Sequence, residues 1–251
     1  MMKPCYSCPK GLMDGYVTIY LDKFCRYQCF QNYGGCPSSF NVEIINISKV
    51  IKEIKEVIGQ NPEARIFLDA PNFLDVPGRR VLPDEEDNQH INILKEIIKT
   101  GIQPYLRIET TVRSLLDTPA DFYEFLFRSG IREVWMGVES ASLKLRNKYE
   151  KPYFENSRLV EITNALRRAG IFCGWYLVVG FEDSDESIQE TINLIHEANP
   201  DRIFLLQLLP YGLGEQMISL GVLAIRIPNI ERYQARLQKI AEELDEKLCE
   251  I

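Results

Sequence analysis

Residues 157–179 read SRLVEITNALRRAGIFCGWYLVV, and this passage decides the fold. A helix is expected from about Ser157 to Ala169, Gly170 stops it, and the β-branched and aromatic run Ile171 to Val179 is a strand. Asp185 then begins another helix that ends near Asn199-Pro200, and Arg202 to Leu208 forms the next strand. Helix, short stop, strand and helix again is the signature of repeated βα units around a parallel sheet.

The same alternation extends towards the N-terminus. Strands are expected at Tyr16–Leu21, Arg65–Ala70, Gln103–Thr111 and Glu133–Val138. Helices are expected at about Ser48–Ile58, Glu85–Thr100 and Pro119–Gly130, with proline at a favoured first-turn position in the last of these. A final helix covers Glu231 to Cys249. Six βα units are too few for a complete eight-unit barrel, so the expected fold class is α/β, a partial (β/α)6 TIM-like barrel. A doubly wound open sheet is the alternative. The expected organisation is an N-terminal segment with a cysteine pair over residues 1–14, a barrel core over 15–221, and a C-terminal helix packing on the core over 222–251.

Composition bounds the function. Of 251 residues, 45% are hydrophobic and 26% charged, enough for a sizeable core under a charged surface. The formal net charge of −7 repels a phosphate backbone, so nucleic-acid binding is disfavoured. No run of about 18 apolar residues and no signal-peptide layout is found, so a cytoplasmic chain with no membrane partner is expected.

Seven cysteines are too few for a disulfide scaffold at this length, and the number is odd. Cys5 and Cys8 form one group. Cys25-Arg-Tyr-Gln-Cys29 is followed by Phe-Gln-Asn-Tyr-Gly-Gly-Cys36, in the loop leaving the first strand. In barrels and open sheets alike, function collects on loops leaving the carboxyl ends of strands. Thiolates are soft ligands for zinc or for iron–sulfur clusters. Three of them can hold three corners of a cubane cluster and leave one iron open to a substrate-like molecule. A structural zinc site would need a fourth protein ligand, which Cys5 or Cys8 could supply. Buried thiols packed as small hydrophobes are the plainest alternative.

At this point the chain resembles the radical S-adenosylmethionine (radical SAM) superfamily, over about Tyr16 to Leu213. The segment Trp135-Met-Gly-Val-Glu-Ser-Ala-Ser142 is similar to one ending the fourth strand in many of these enzymes, and the charged run Lys144 to Lys151 follows it. Leu166-Arg-Arg-Ala-Gly-Ile171 and Gly174-Trp-Tyr-Leu-Val-Val-Gly-Phe-Glu-Asp183 resemble the passage around the fifth strand. Leu208-Leu-Pro-Tyr-Gly-Leu-Gly214 resembles the end of the sixth, where the superfamily packs on adenine. The cysteine spacing departs from the usual C-x3-C-x2-C: the first interval is kept and the second is C-x6-C. The Gly-Gly-Glu stretch usual after the second strand is replaced by Leu68-Asp-Ala-Pro-Asn-Phe73.

The resemblance implies a 4Fe-4S cluster on Cys25, Cys29 and Cys36, with S-adenosylmethionine reductively cleaved to a 5′-deoxyadenosyl radical. It also implies an external electron donor and a small-molecule or peptide substrate. Glu139 is then a cofactor contact, with Gly180, Leu209 and Tyr211 beside it. Asp69 or Asn72 could bind an ammonium group. Arg107 and Glu109 alternate with apolar residues and share a strand face. They either contact the cofactor or substrate, or form a mutual ion pair on the solvent side. The passage after the fourth strand resembles the branch with methylthiotransferases and cobalamin-dependent methylases, whose extra domain this short chain is not expected to hold. Two other readings stay open: a thiolate zinc- or cluster-binding module without catalysis, and a degenerate barrel serving as a binding subunit. His90 and His196 are expected in solvent, the 242–250 charge run on a solvated helix face, and Cys173 and Cys249 in packing.

Overall fold

The computed structural model describes residues 15–22, 44–76, 79–80, 88–148, 151, 154–179, 183–207 and 230–249. Its strands are β1 (Tyr16–Tyr20), β2 (Arg65–Asp69), β3 (Asp75–Val76), β4 (Arg79–Arg80), β5 (Tyr105–Thr111), β6 (Ile131–Glu139), β7 (Phe172–Val179) and β8 (Arg202–Gln207). Its helices are α1 (Ile47–Gln60), α2 (Gln89–Thr100), α3 (Ala120–Arg128), α4 (Leu143–Lys148), α5 (Asn156–Arg168), α6 (Asp185–Ala198) and α7 (Ile230–Cys249). The short hairpin β3–β4, the short α4 and a 3-10 turn at Val112–Leu115 are additions to the sequence expectation.

Six strands form one parallel sheet in the order β1-β2-β5-β6-β7-β8. A doubly wound sheet reverses its strand order at a switch point. Here the order follows the sequence throughout, apart from the separate hairpin, so the fold is the partial barrel type. β1 and β8 are the two ends of the strand order, and the sheet does not close among the described residues.

Local chemistry sets the element boundaries. Asn46 and Asn88 cap α1 and α2, their side-chain oxygens accepting from Lys49 N at 3.0 Å and Ile91 N at 3.1 Å. Ser184 and Ser187 bond reciprocally at the start of α6. Pro119 stands just outside α3 as its N-cap rather than inside the first turn. Gly130 follows α3 with φ 91°, where a Cβ would lie 2.7 Å from the Pro104 carbonyl oxygen, so only glycine fits.

The chain divides into two compact units. The first contains β1, β2, β5, the start of β6 and helices α1–α3. Ile66, Phe67 and Leu68 are consecutive and all buried, as expected of a parallel strand covered on both faces. Ile54 of α1, Ile91, Leu94 and Ile97 of α2, and Phe122 and Leu126 of α3 are fully buried in this core. The second unit contains the end of β6, α4, most of α5 and β7, then α6, β8 and α7. There α7 is held by Arg202 Nε on Asp245 Oδ1 at 2.6 Å and by Arg236 on Gln189 Oε1 at 2.8 Å. Tyr233, Leu237, Ala241 and Leu244 are its buried residues.

At the amino ends of the first unit's strands, Tyr16, Arg65 and Tyr105 lie side by side in register. All three converge on the buried carboxylate of Glu133 in β6. The Tyr16 hydroxyl donates to Oε1. Tyr105 donates to the same oxygen at 2.7 Å, and Arg65 Nη2 pairs with it at 3.2 Å. Trp135 Nε1 donates to Oε2 at 3.2 Å.

Burial, then the hydrogen bond to Glu133, pushes the Tyr105 phenol up to about 12, and the same causes raise Tyr16 further. A phenol titrates near pH 10 in the unfolded chain. Above that pH the unfolded state has released protons that the folded state still holds, so stability falls as pH rises. The Tyr105 contribution is therefore complete below about pH 10 and lost as pH rises through about 12. Urea midpoints measured at pH 9 and pH 11 should show a smaller drop for Tyr105→Phe than for the unmutated chain.

Candidate functional site

Of the sequence-expected residues, Cys25, Cys29, Cys36, Gly180, Leu209 and Tyr211 lie outside the described residues, as do Cys5 and Cys8. Among the described residues no group of three His, Cys, Asp or Glu side chains could hold a metal ion.

In the first unit, alternation along the strands places Asp69, Arg107 and Glu109 on one face of the sheet. Register fixes this: Thr18, Phe67 and Arg107 form one row, and Tyr20 and Asp69 the next towards the carboxyl ends. Arg107 is 1% exposed, and its guanidinium lies over the rings of Trp135 at 4.7 Å, Tyr16 at 5.3 Å and Phe67 at 5.4 Å. Its Nη2 reaches Glu109 Oε1 at 3.1 Å. The mutual ion pair thus forms, but it is an interior pair and not one on the solvent side. Cation–π contacts of this kind stabilise a desolvated guanidinium.

Asn72 is buried, and its Oδ1 accepts from Thr110 Oγ1 at 2.8 Å, Thr111 N at 3.2 Å and Ser114 Oγ at 3.2 Å. That oxygen ties the segment after β2 to the end of β5.

His90 corrects an expectation. It is 5% exposed, not in solvent, and its ring stacks on Phe73 with centroids 4.7 Å apart. Nδ1 lies 2.7 Å from the Phe73 carbonyl oxygen and Nε2 lies 2.8 Å from Asp22 Oδ2. A carbonyl only accepts, so Nδ1 donates to Phe73, and the other ring nitrogen is left facing the Asp22 carboxyl. The first residues after β1 are anchored in this way, with Leu21 N also donating to Asp69 O at 3.0 Å. Asp22 immediately precedes the segment that carries the three cysteines. His196 is exposed and Cys173 is buried, both as expected.

The second unit builds a separate polar frame around the end of β6. Glu139 has φ 65°, a left-handed conformation uncommon outside glycine, and its side chain is 6% exposed. Its Oε1 pairs with Lys151 Nζ. Gly137 stands two residues earlier on the same strand face, and a Cβ there would lie 2.8 Å from Glu139 Oε1. The bare glycine is what lets the carboxylate fold back over the strand.

Arg146 of α4 braces this turn from behind. Nη1 donates to the carbonyls of Ser140 at 2.9 Å and Ala141 at 2.8 Å and to Asn156 Oδ1 at 2.9 Å. Nη2 donates to the Phe154 carbonyl at 2.9 Å, and the guanidinium stacks on the Phe154 ring at 4.2 Å. Burial pushes this guanidinium down to about 10, so it stays charged at neutral pH. Thr191 of α6 accepts from Ala141 N at 3.1 Å. Arg146 and Thr191 were not legible as site-forming residues. The one local hint was Gly137, placed two residues before a buried acid.

A surface groove of about 780 Å³ in the second unit is lined by Arg146, Phe154, Glu155, Asn156, Glu190 and Glu197 among others. None of the sequence-expected site residues lines it.

No protein-family model and no curated protein matches the sequence. Solved structures do match in fold. A radical S-adenosylmethionine methyltransferase, TsrM from Kitasatospora setae, with cobalamin and a 4Fe-4S cluster bound, is 15% identical with a TM-score of 0.60, covering 77% of this chain and 36% of its own. Coproporphyrinogen III oxidase HemN from Escherichia coli, a radical SAM enzyme, is 15% identical with a TM-score of 0.58, covering 92% of this chain and 52% of its own. SuiB from Streptococcus suis, bound to the precursor peptide SuiA, is 13% identical with a TM-score of 0.54, covering 91% and 46%. The chain therefore spans between about a third and a half of these proteins, and what it shares with them is the fold.

Replacing Arg146 by Met should strip donors from three buried carbonyls while keeping most of the side-chain volume. The expected loss is about 3 kcal/mol of unfolding free energy, read from chemical denaturation.

Proposed function

We propose, from the premise that this chain has the core fold of the radical SAM enzymes, that it binds a 4Fe-4S cluster and S-adenosylmethionine and reductively cleaves the latter. The single observation that carries the reading is Glu139. A buried carboxylate stands at the carboxyl end of a barrel strand, in a left-handed backbone conformation, over a glycine that makes room for it. Backbone outliers of this sort cluster at ligand sites, and carboxyl ends of strands are where barrels place function.

The donor set suits the cluster, because three thiolates are the soft ligands that iron–sulfur clusters take. Cys25, Cys29 and Cys36 would hold it, in the segment that follows β1 and Asp22. When bound, the cluster supplies the electron that breaks a carbon–sulfur bond of S-adenosylmethionine, leaving methionine and a 5′-deoxyadenosyl radical.

The protein's own part is to bind, orient and exclude water. Glu139 offers a carboxylate oxygen to the cofactor, and Asp69 and Glu109 are further acidic groups of the sheet face that carries Arg107. Gly180, Leu209 and Tyr211 are proposed cofactor contacts on the strength of their motifs. Asn72 acts as an internal strut. The substrate class is a small molecule or a peptide: TsrM has been solved with tryptophan and SuiB with a precursor peptide. An external donor would supply the electron. No described helix is long and apolar enough to cross a membrane.

The test is anaerobic reconstitution with iron and sulfide, followed by S-adenosylmethionine and dithionite. 5′-Deoxyadenosine is the expected product, and a loaded cluster that never yields it, with any small-molecule or peptide fraction added, overturns the reading. Cys36→Ala should lose the cluster's visible absorption.

Gly137→Ala gives a sharper outcome. The clash is with the end of a side chain that is buried and ion-paired, so stability should fall by about 1–3 kcal/mol. Binding of S-adenosylmethionine should fall at least roughly tenfold as Glu139 is displaced, measured by titration calorimetry.

A further inference from the structure

We infer that Lys151 is a positioning residue for Glu139, neutralising one oxygen of its carboxylate so that the other meets a ligand as an uncharged-type acceptor rather than as a cation trap. This rests on the reading of Glu139 as a contact of S-adenosylmethionine.

The side chains of Glu139 and Lys151 are 6% and 13% exposed, so neither charge is dissipated by bulk water. A buried carboxylate without a counter-charge is costly, and Lys151 supplies the counter-charge here. Lys151 Nζ sits on Oε1, in the space left by the missing Cβ of Gly137, which would approach it to 3.4 Å. Oε2 accepts from no described residue, yet it is not among the polar atoms sealed from solvent without a partner. Among the described residues, one oxygen is therefore matched and the other is not.

The lysine is delivered to this spot by the backbone. Lys151 N donates to the Arg146 carbonyl at 2.8 Å, and Arg146 N donates to Ser142 O at 2.9 Å. The Arg146 guanidinium holds Ser140 and Ala141 on one side of residue 151 and Phe154 on the other. An ion pair serving stability alone would not need its acid on a left-handed residue, with one oxygen unmatched among the described residues.

S-adenosylmethionine and S-adenosylhomocysteine differ in charge at sulfur, a sulfonium against a neutral thioether. With Lys151 in place, the local charge at Glu139 is balanced and contributes little to telling the two apart. Removing the lysine exposes a full negative charge in a partly buried site, which favours the sulfonium.

Titration calorimetry of the anaerobically reconstituted chain with each compound tests this. Lys151→Met should raise the ratio of affinities, S-adenosylmethionine over S-adenosylhomocysteine, by roughly tenfold. Lys151→Arg should restore the original ratio, and melting temperatures recorded alongside separate this from loss of fold. An unchanged ratio in Lys151→Met, with binding weakened in Glu139→Gln, overturns the role of Lys151 and leaves Glu139 as a contact. Unchanged binding in Glu139→Gln overturns the assignment of Glu139 and this inference with it.

Discussion

A carboxylate taken out of water needs donors arranged around it, and in the first unit Glu133 draws them from four strands. Tyr16, Arg65, Tyr105 and Trp135 belong to β1, β2, β5 and β6 respectively, and each reaches one of its two oxygens. Slipping a strand by one residue turns its side chains to the opposite face. Any such slip would withdraw a donor and leave a buried acid short of partners. The hub therefore fixes the register of strands whose hydrophobic runs, being buried on both sides, specify register only weakly. The positions of Arg107 and Asp69, one and two rows further along, follow from that register.

The second unit uses the opposite charge to similar effect. Arg146 is a buried cation whose partners are mostly backbone carbonyls, and these lie in a segment that neither helix nor sheet would satisfy. A guanidinium suits this because its donors fan out in a rigid plane. Ordinary loops leave such carbonyls to water and keep their freedom. This one is held firmly enough to keep Glu139 in an unfavourable backbone state.

The strands and most helices were legible because they depend on local pattern. Ile66-Phe67-Leu68 and the run up to Val179 are β-branched or aromatic and bounded by turn residues. His90 was misjudged because its partner, Asp22, is 68 residues away, and its neighbours in sequence say nothing of that. The contacts of Asn72 were hidden for the same reason, since its three donors come from Thr110 onward. Arg146 lay inside the charged run Lys144 to Lys151, and its aromatic partner Phe154 lies beyond the end of α4. The short α4 and the two-residue strands β3 and β4 are too brief to set up any periodicity. The Gly-Val-Glu segment was legible by resemblance, and the reason for its glycine is the carboxylate folded back over it.

Glu139 carries one more consequence. A non-glycine residue held at φ 65° costs on the order of 1 kcal/mol that glycine would avoid. The protein is thus less stable at this point than its own backbone allows, and a search for more robust variants would be drawn to replace the residue. Thermal robustness and the presence of the acid pull in opposite directions here, so a stability screen run without a functional readout would tend to discard the side chain on which the proposed chemistry depends.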